Sequence, residues 1–293
     1  MAKIGIVTVL YNSATVLEDY FKTISEQTYK DFILYVIDNK SPDDSLSLSY
    51  KYAEHYKDKY KTVIIENDQN YGIAKGNNIG LLKAREDGCD YILLCNNDIV
   101  MSNDCIEKML SRLIKENIDF VVPKIFYYDE PLIWMAGGKF SWISGGTRHI
   151  GAKQKDSPMF NKNKLVKYSP TCVMLIKSRL FDEIGLFDEK YFVYFDDTDW
   201  VYRCYKAGKK LGYTPDAVVR HKESVSTGGQ MSDFSIKMQC RNHVYFCKKN
   251  FSKPHFYFTV LVKGLYHLLI QRWQFSKHQR RLMDKAFIEG FKM

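Results

Sequence analysis

Residues 4–10 read Ile-Gly-Ile-Val-Thr-Val-Leu, a continuous apolar run rich in β-branched side chains. Three more runs of this kind occupy residues 32–38, 62–66 and 91–95, so that the four starts lie 28, 30 and 29 residues apart. Segments with helical patterning, such as 14–26, separate the runs. Continuous apolar runs are typical of strands buried on both faces, and their alternation with helices indicates βαβ units. The sequence therefore predicts an α/β fold with a mostly parallel, Rossmann-like sheet flanked by helices.

The regular spacing ends near residue 120. A poorly periodic stretch with two Gly-Gly pairs runs from Gly137 to about Lys167, and apolar patterning returns near Thr171–Ile176. Gly-Gly pairs mark turns, so this stretch is predicted to contain little regular structure. No internal repeat is found.

The composition is that of a globular protein. Of 293 residues, 45% are hydrophobic and 26% charged, which excludes a wholly disordered chain. The seven cysteines form no Cys-x-x-Cys pair, so free thiols in a reducing compartment are expected and a disulfide framework or zinc site is not. We predict neither a signal peptide nor a transmembrane helix, because the N-terminus lacks the required apolar stretch and no apolar run reaches 18 residues.

The basic charge lies in one part of the chain. The formal net charge is +9, and residues 240–293 alone hold 11 Lys or Arg against 2 Asp or Glu. The other residues therefore carry no net charge. A basic segment of this kind favours an anionic partner, which could be a membrane surface, a nucleic acid or an acidic protein.

Polar residues follow three of the four predicted strands, in the sequences Tyr11-Asn12-Ser13, Asp38-Asn39 and Asn96-Asn97-Asp98. In an open α/β sheet, ligands bind outside the carboxyl ends of the strands. We therefore expect these residues to meet at one edge of the sheet. The chain has neither a Gly-x-Gly-x-x-Gly fingerprint after the first strand nor a Walker A loop, so a nucleotide would be bound in another way.

Several ordered motifs resemble those of family 2 glycosyltransferases with the GT-A fold. The resemblance runs from residue 4 to about residue 250 and is greatest to the branch of bacterial rhamnosyl- and galactofuranosyl-transferases. The segments that carry it are Val7–Asn12, Val36–Ser41, Asn70–Gly80, Leu93–Asp98, Gly185–Glu189, Tyr194–Trp200 with Arg203, and Val219–His221 with Ser226.

The resemblance implies a divalent cation at the end of the fourth strand. Mg²⁺ or Mn²⁺ neutralises the charge that develops on a leaving diphosphate, and oxygen ligands hold such ions. The expected ligands are Asp98, His221 and Asn96. The family motif often has aspartate where Asn96 stands, which leaves one carboxylate in this motif. A histidine ligand would favour Mn²⁺.

Three carboxylates, Asp196, Asp197 and Asp199, lie within four residues. Close carboxylates raise one another's pKa, so a buried member can act as a general base. The same pattern also favours the start of a helix, here near Thr198. The resemblance aligns Asp197 with the catalytic aspartate of the family, whereas Asp196 replaces its usual glutamate. Asp199 and Arg203 are spaced for a supporting ion pair on one helical face.

The resemblance also implies a site for a nucleoside diphosphate sugar. Tyr11 would border a uracil or thymine base, and Asp38 would accept its imide proton. The loop from Gly72 would pass under the ribose and diphosphate, where Lys75 offers a positive charge. The full set of expected nucleotide-binding residues is Thr8, Leu10, Tyr11, Asn12, Asp38, Gly72, Lys75, Asn77 and Asn97.

The segment Phe256–Phe275 is mostly apolar and predicts a helix with one polar stripe. Two interpretations stay open: the helix packs against the rest of the protein, or it lies in a membrane interface. Nucleic acid is a less favoured partner because long aliphatic side chains dominate the segment. The stripe consists of Thr259, Lys263, His267 and Gln271, and the residues expected near lipid headgroups are Trp273, Lys277, Arg280 and Arg281.

Together these features predict an inverting, metal-dependent hexosyl- or deoxyhexosyltransferase. The donor would be a UDP- or dTDP-sugar and the acceptor a glycan or polyprenyl-linked glycan of cell-surface polysaccharide synthesis. We expect a GT-A domain at residues 1–240, with a nucleotide-binding half (about 1–120) and an acceptor and catalytic half (about 121–240), followed by a basic helical extension at 241–293. The expected location is cytoplasmic, at the inner face of the membrane.

Two alternatives remain. A sugar nucleotidylyltransferase has a similar sheet but needs a Gly-rich basic loop after the first strand, which residues 10–14 lack. A non-catalytic, membrane-associated protein that binds sugar nucleotides would not need the set of Asp98, Asp197 and His221. The sequence leaves the oligomeric state open.

Overall fold

A computed structural model of the protein describes residues 2–222, 232–269 and 275–293, apart from the side chains of 267–269. Of the residues singled out above, Ser226, Gln271 and Trp273 lie outside this description, as does the side chain of His267. All other candidate residues lie within it.

Four parallel strands form the N-terminal half of the main sheet: β1 (Ile4–Leu10), β2 (Phe32–Asp38), β3 (Lys61–Glu66) and β4 (Tyr91–Cys95). β1 pairs with β2 on one side and with β4 on the other, and β3 pairs with the outer side of β2. Every residue of β1 and β2 is buried, as expected for continuous apolar runs in a parallel sheet. The predicted strands are confirmed, with β3 beginning one residue earlier than expected.

The helices α1 (Leu17–Ser25), α2 (Ser45–His55) and α3 (Gly72–Glu86) connect these strands. α3 lies so close to the sheet that a Cβ atom at Gly76 would stand 2.7 Å from Val9 Cγ1, and one at Gly80 would collide with Val7. Glycine at both positions therefore permits the close approach of helix and sheet. α3 begins at Gly72, so the stretch from Gly72 that was expected to form a loop is instead the first turn of this helix.

The second half of the chain extends the same sheet mainly with antiparallel strands. β12 inserts between β4 and β6 and is antiparallel to both, which no local pattern indicated. The stretch 137–167, expected to be irregular, contains a short hairpin of β8 and β9 and two further short strands. The elements in order are β5 (Ile99–Met101), α4 (Cys105–Lys115), β6 (Phe120–Tyr127), β7 (Leu132–Met135), β8 (Gly138–Ser141), β9 (Gly146–His149), β10 (Gln154–Lys155), β11 (Lys164–Val166), β12 (Val173–Lys177), α5 (Leu180–Ile184), α6 (Asp196–Lys206) and β13 (Leu211–His221).

Three helices follow: α7 (Asp233–Asn250), α8 (Lys253–Leu269) and α9 (Lys277–Lys292). α7 packs on α9, and aromatic side chains from both meet a second apolar cluster that includes Tyr191 and Tyr202. Ser276 caps α9 through a capping box with Gln279. α7 passes through the expected boundary at residues 240 and 241, and the division of the chain at that point stays a prediction.

The two residues of the polar stripe whose side chains are described, Thr259 and Lys263, face inward. Lys263 Nζ donates to Nδ1 of His243 on α7 at 3.1 Å, and Thr259 is buried. The opposite, apolar side is turned to solvent, where the residues Tyr257, Phe258, Leu261 and Leu265 are between 48% and 62% exposed. No helix in the described ranges is long and apolar enough to cross a membrane.

Candidate active site

The carboxyl ends of β1 and β4 open onto a cavity of about 490 Å³. Residues from both halves of the chain line it, among them Val9 and Asp98 from the first half and Tyr168 and Asp197 from the second. Of the predicted site residues, the cavity brings together Asn77, Asn96, Asn97, Asp98, Asp196, Asp197 and His221.

Asp98 and His221 meet because of strand pairing. β13 runs antiparallel to β5, and this register places His221 opposite Ile99, the residue after Asp98. The Lys222 N–H donates to the Asp98 carbonyl at 2.8 Å, which holds the two segments together. As a result, Asp98 Oδ1 lies 3.2 Å from His221 Nε2. The ring of Trp134 packs edge-on against the imidazole, with 4.7 Å between centroids.

The surroundings of this pair fit a divalent cation. Asp98 Oδ1 is buried and has no partner among the described residues other than His221 Nε2, whereas His221 Nδ1, on the other side of the ring, has none. Because Oδ1 and Nε2 face each other, both suit ligation of one cation. No group of three His, Cys, Asp or Glu side chains in the described ranges could complete a metal site. Other ligands would come from the exposed Asn96, from water or from a substrate phosphate.

The side chain of Asn97 holds the loop after β4 against β1, because its Nδ2 donates to the Val9 carbonyl at 2.8 Å. Asn96 is fixed through its backbone, whose N–H donates to the Cys172 carbonyl at 2.8 Å. These two contacts position the Asn96-Asn97-Asp98 sequence in the lining of the cavity.

The predicted base-binding residues lie at the same sheet edge but do not line the cavity. Asp38 is buried at the end of β2, where Oδ2 accepts from the Ser41 N–H at 3.1 Å. Its Oδ1 has no hydrogen-bond partner among the described residues. Tyr11 follows β1 with its side chain exposed, and Asn12 has a φ of 56°. Thr8 and Leu10 are buried within β1.

Gly72 is a position where only glycine fits. Its φ is +79°, and a Cβ atom there would collide with the Phe192 carbonyl. Asn39 Nδ2 donates to the Gly72 carbonyl at 3.0 Å, and this hydrogen bond holds the start of α3 against the end of β2. Lys75 Nζ stands 3.6 Å from the centre of the Tyr71 ring, which is a cation–π contact.

Asp197 lies in the first turn of α6 and faces the cavity. Its carboxylate accepts from the Thr198 N–H at 2.5 Å and from the Tyr168 hydroxyl at 3.3 Å. Burial raises the pKa of Asp197 above its usual range. Burial, followed by the charge of Asp197, also raises the pKa of Tyr168, so the phenol stays protonated and acts as the donor.

Asp196 has a different environment. Its side chain is buried, and Oδ2 has no hydrogen-bond partner in the part of the chain that the structure describes. Burial, followed by the charge of Asp197, raises the pKa of Asp196. α6 begins at this residue, two positions before the helix start expected from the sequence.

Asp199 lies outside the cavity and is fully buried. The predicted ion pair is present, with Arg203 Nε 2.9 Å from Asp199 Oδ2. Lys249 and Asn250, at the end of α7, also contact this carboxylate at 3.0 and 2.8 Å. Asp199 therefore anchors α7 to α6.

Sequence reasoning missed the residues that shape the segment before α6. Phe192, Tyr194 and Phe195 have φ values of 65°, 62° and 67°. Such left-handed conformations cost a bulky side chain roughly 1–3 kcal/mol each, so other contacts must stabilise them. The fully buried Asn242 of α7 supplies these contacts. No local pattern marks a buried amide in a helix as a site residue, and Tyr168 likewise has no sequence signal.

The comparisons with known proteins agree on family and fold. The model of one family, glycosyl transferase family 2, matches residues 5–185. The chain is 23% identical over 73% of its length to glycosyltransferase GlyG of Streptococcus pneumoniae serotype 4, a match that covers 68% of that protein. It is 26% identical, again over 73% of its length, to the dTDP-rhamnosyl transferase RfbF of Shigella flexneri, with 67% of that protein covered.

Among solved structures, the mannosyltransferase PcManGT from Pyrobaculum calidifontis is similar over 97% of this chain and 73% of its own. The TM-score is 0.60 at 15% identity, and that structure is a complex with GDP-Man and Mn²⁺. At this identity the similarity concerns the fold alone, and it confirms the predicted GT-A architecture.

Proposed function

The chain belongs to glycosyl transferase family 2, and from that premise we propose that it is an inverting enzyme that moves a hexosyl or deoxyhexosyl group from a UDP- or dTDP-sugar to a hydroxyl group of a glycan. One observation carries this proposal. The lining of a single cavity contains a carboxylate–imidazole pair suited to a cation and a further carboxylate, Asp197, suited to a general base.

Asp197 is the proposed base. It takes the proton of the acceptor hydroxyl as that oxygen bonds to the anomeric carbon of the donor. The bond from this carbon to the diphosphate oxygen breaks, and the diphosphate leaves from the opposite face with inversion. The raised pKa of Asp197 makes its carboxylate a stronger base than an exposed aspartate. Tyr168 holds this carboxylate through its hydroxyl.

Asp98, His221 and Asn96 would hold Mn²⁺ or Mg²⁺. When bound, the ion supplies positive charge next to the departing diphosphate. The facing atoms Asp98 Oδ1 and His221 Nε2 support this role, and an imidazole ligand favours Mn²⁺. PcManGT, which shares the fold, binds GDP-Man with Mn²⁺.

We propose that the donor nucleotide lies along the ends of β1, β2 and β4. The unpartnered Oδ1 of Asp38 suits the imide N–H of uracil or thymine as a donor. The similarity to a dTDP-rhamnosyl transferase supports the same choice. The other residues proposed to contact the nucleotide are Thr8, Leu10, Tyr11, Asn12, Gly72, Lys75, Asn77 and Asn97.

We further propose that the enzyme attaches to the inner face of a membrane and acts on a polyprenyl-linked glycan in polysaccharide synthesis. The outward apolar side of α8 supports this, because an amphipathic helix ordinarily turns that side inward. Residues 240–293 also carry the whole net charge of +9, and each basic residue close to an anionic leaflet contributes about 1 kcal/mol.

The test is a panel of nucleotide sugars screened by thermal shift with and without Mn²⁺, followed by transfer assays with the donor that binds best. We expect Asp197→Asn to lower the transfer rate by about 100- to 10,000-fold while UDP still binds. Asp216→Asn, an exposed aspartate in β13, is the matched control. Unchanged turnover in Asp197→Asn would disprove the role of Asp197. Release of pyrophosphate would favour a nucleotidylyltransferase instead, and binding of donors without any transfer would favour a non-catalytic protein.

A further inference from the structure

The segment 191–194 has its four consecutive backbone carbonyls bonded to two separate helices. The Phe192 carbonyl accepts from the Ile73 N–H of α3 at 2.6 Å. The other three lie within hydrogen-bond distance of one nitrogen, Nδ2 of Asn242 on α7, whose two hydrogens are shared among them. This nitrogen lies 2.8, 2.7 and 2.9 Å from the carbonyl oxygens of Tyr191, Val193 and Tyr194.

A neighbouring residue fixes the orientation of this amide. Arg241 Nε donates to Asn242 Oδ1 at 2.8 Å, which turns Nδ2 and its two hydrogens towards the segment. Arg241 Nη2 also donates to the Tyr191 carbonyl at 3.0 Å. The two residues therefore act together on the segment.

The segment needs this support because of its backbone conformation. Three bulky residues, Phe192, Tyr194 and Phe195, adopt positive φ values that side chains normally avoid. Because the segment with these φ values forms neither a helix nor a strand, its carbonyls lack the regular hydrogen bonds of secondary structure and need other donors. Asn242 is fully buried, so water does not replace the hydrogen bonds that it donates.

The segment joins the two sides of the cavity. At one end Phe192 rests on Gly72 and Ile73, beside the proposed donor site. At the other end Phe195 is the N-cap residue of α6, whose carbonyl accepts from the Asp199 N–H at 2.8 Å. The conformation of the segment therefore determines where Asp197 stands relative to the donor.

We propose that Asn242 is a positioning residue that holds Asp197 at its working distance from the donor. This inference rests on the proposed function of Asp197. Asn242 itself touches no reacting atom. It acts through the backbone of residues 191–195, and Arg241 acts through Asn242.

The test compares Asn242→Ala with Val244→Ala in the full-length protein. Val244 is a buried α7 residue that lies against Gly290 of α9, so its truncation loosens the packing of the helix but removes none of the hydrogen bonds to the segment. For Asn242→Ala we expect kcat to fall by about 100-fold, the loss associated with misplacement of a catalytic group by about 1 Å. The KM for the donor and the Kd for UDP with Mn²⁺ should stay within about threefold of wild type. For Val244→Ala kcat should stay within about twofold at a comparable loss of Tm.

Hydrogen exchange gives a readout that does not depend on turnover. Amides in 191–199 should exchange faster in Asn242→Ala and at the wild-type rate in Val244→Ala. Arg241→Met is the milder variant, to be used if Asn242→Ala does not fold. It should speed the exchange of amides 191–199 and lower kcat, each by a smaller factor than Asn242→Ala does.

Three results would overturn the inference: an unchanged kcat in Asn242→Ala, equal losses of kcat in Asn242→Ala and Val244→Ala, or unchanged exchange of 191–199 in both Asn242→Ala and Arg241→Met. A wild-type protein that turns over no donor would instead count against the proposed function, while the exchange data would still test the contact of Asn242 with the segment.

Discussion

Asp196 and Asp197 are neighbours in the chain, yet their carboxylates have different surroundings. Asp197 faces the cavity and accepts hydrogen bonds from the Thr198 N–H, the Thr198 hydroxyl and the Tyr168 hydroxyl, whereas Asp196 is buried with one oxygen atom unpartnered among the described residues. A buried carboxylate without partners favours its protonated form. Because Asp197 is the accessible carboxylate of the two, it is the proposed base. Asp196 destabilises the folded state when it ionises.

We expect Asp196→Asn to stabilise the protein increasingly as the pH rises. Folded Asp196 keeps its proton to a higher pH than the usual value of 3.8. Between pH 4 and that raised pKa the folded state therefore binds more protons, and the free energy of unfolding falls as pH increases. Asparagine does not titrate, so the variant lacks this loss. Thermal unfolding at pH values from 4 to 8 should show a Tm advantage that is smallest at pH 4. An advantage that is independent of pH would contradict the explanation.

The Asp98–His221 pair makes a prediction about cation dependence. We expect Asp98→Ala to raise the Kd for UDP in the presence of Mn²⁺ by about tenfold or more, because the anionic ligand of the ion is lost. In EDTA the Kd values of variant and wild type should agree. Calorimetry checks both values, with the exposed Asp58→Ala as control. An equal loss of affinity with and without Mn²⁺ would mean that Asp98 contacts the nucleotide directly.

At the scale of elements, α8 turns several large apolar side chains to solvent. Its inner side combines the buried ring of Phe256, which packs on Phe291 of α9, with polar contacts: Lys263 bonds to His243, and His243 Nε2 lies 2.7 Å from the Ser144 carbonyl. Burial, followed by the charge of Lys263, lowers the pKa of His243 to about 3, so the imidazole is neutral and accepts from Lys263. These contacts fix the rotation of the helix about its axis and keep Tyr257, Phe258, Leu261 and Leu265 on the outer side.

We expect the double variant Phe258→Ser and Leu261→Ser to lose most binding to anionic liposomes. Both side chains are exposed, and each contributes about 1.5–3 kcal/mol when buried in an apolar phase. Ile114→Ser is the matched control, because Ile114 is equally exposed but lies on α4. Flotation at low and high salt measures the effect, and salt should weaken the wild-type binding. Wild-type behaviour of the double variant would mean that α8 does not enter the interface.

At the scale of the whole molecule, features formed by residues close together in the chain could be predicted from the sequence, whereas contacts between distant residues could not. The strands β1 to β4 were predicted because each is a single apolar run, and Asp38 and Asp98 because the ends of parallel strands share an edge. The meeting of Asp98 with His221 depends on the register of β13 with β5, more than 100 residues away. The family resemblance predicted that pair, whereas the hydrophobic periodicity did not. Neither the resemblance nor the periodicity predicted the contact of Asn242 with residues 191–194.

The insertion of β12 between β4 and β6 has a consequence for synthesis on the ribosome. β1, β2 and β3 can pair as soon as they emerge, but one edge of β4 has no partner until residues 173–177 are made. At about 5–20 residues per second, translation of the intervening residues takes roughly 4–16 seconds. Throughout that interval an apolar strand edge, Tyr91–Cys95, can pair with another nascent chain. Ribosomes that pause before residue 173 would therefore release or hold a species prone to aggregation and suited to chaperone binding.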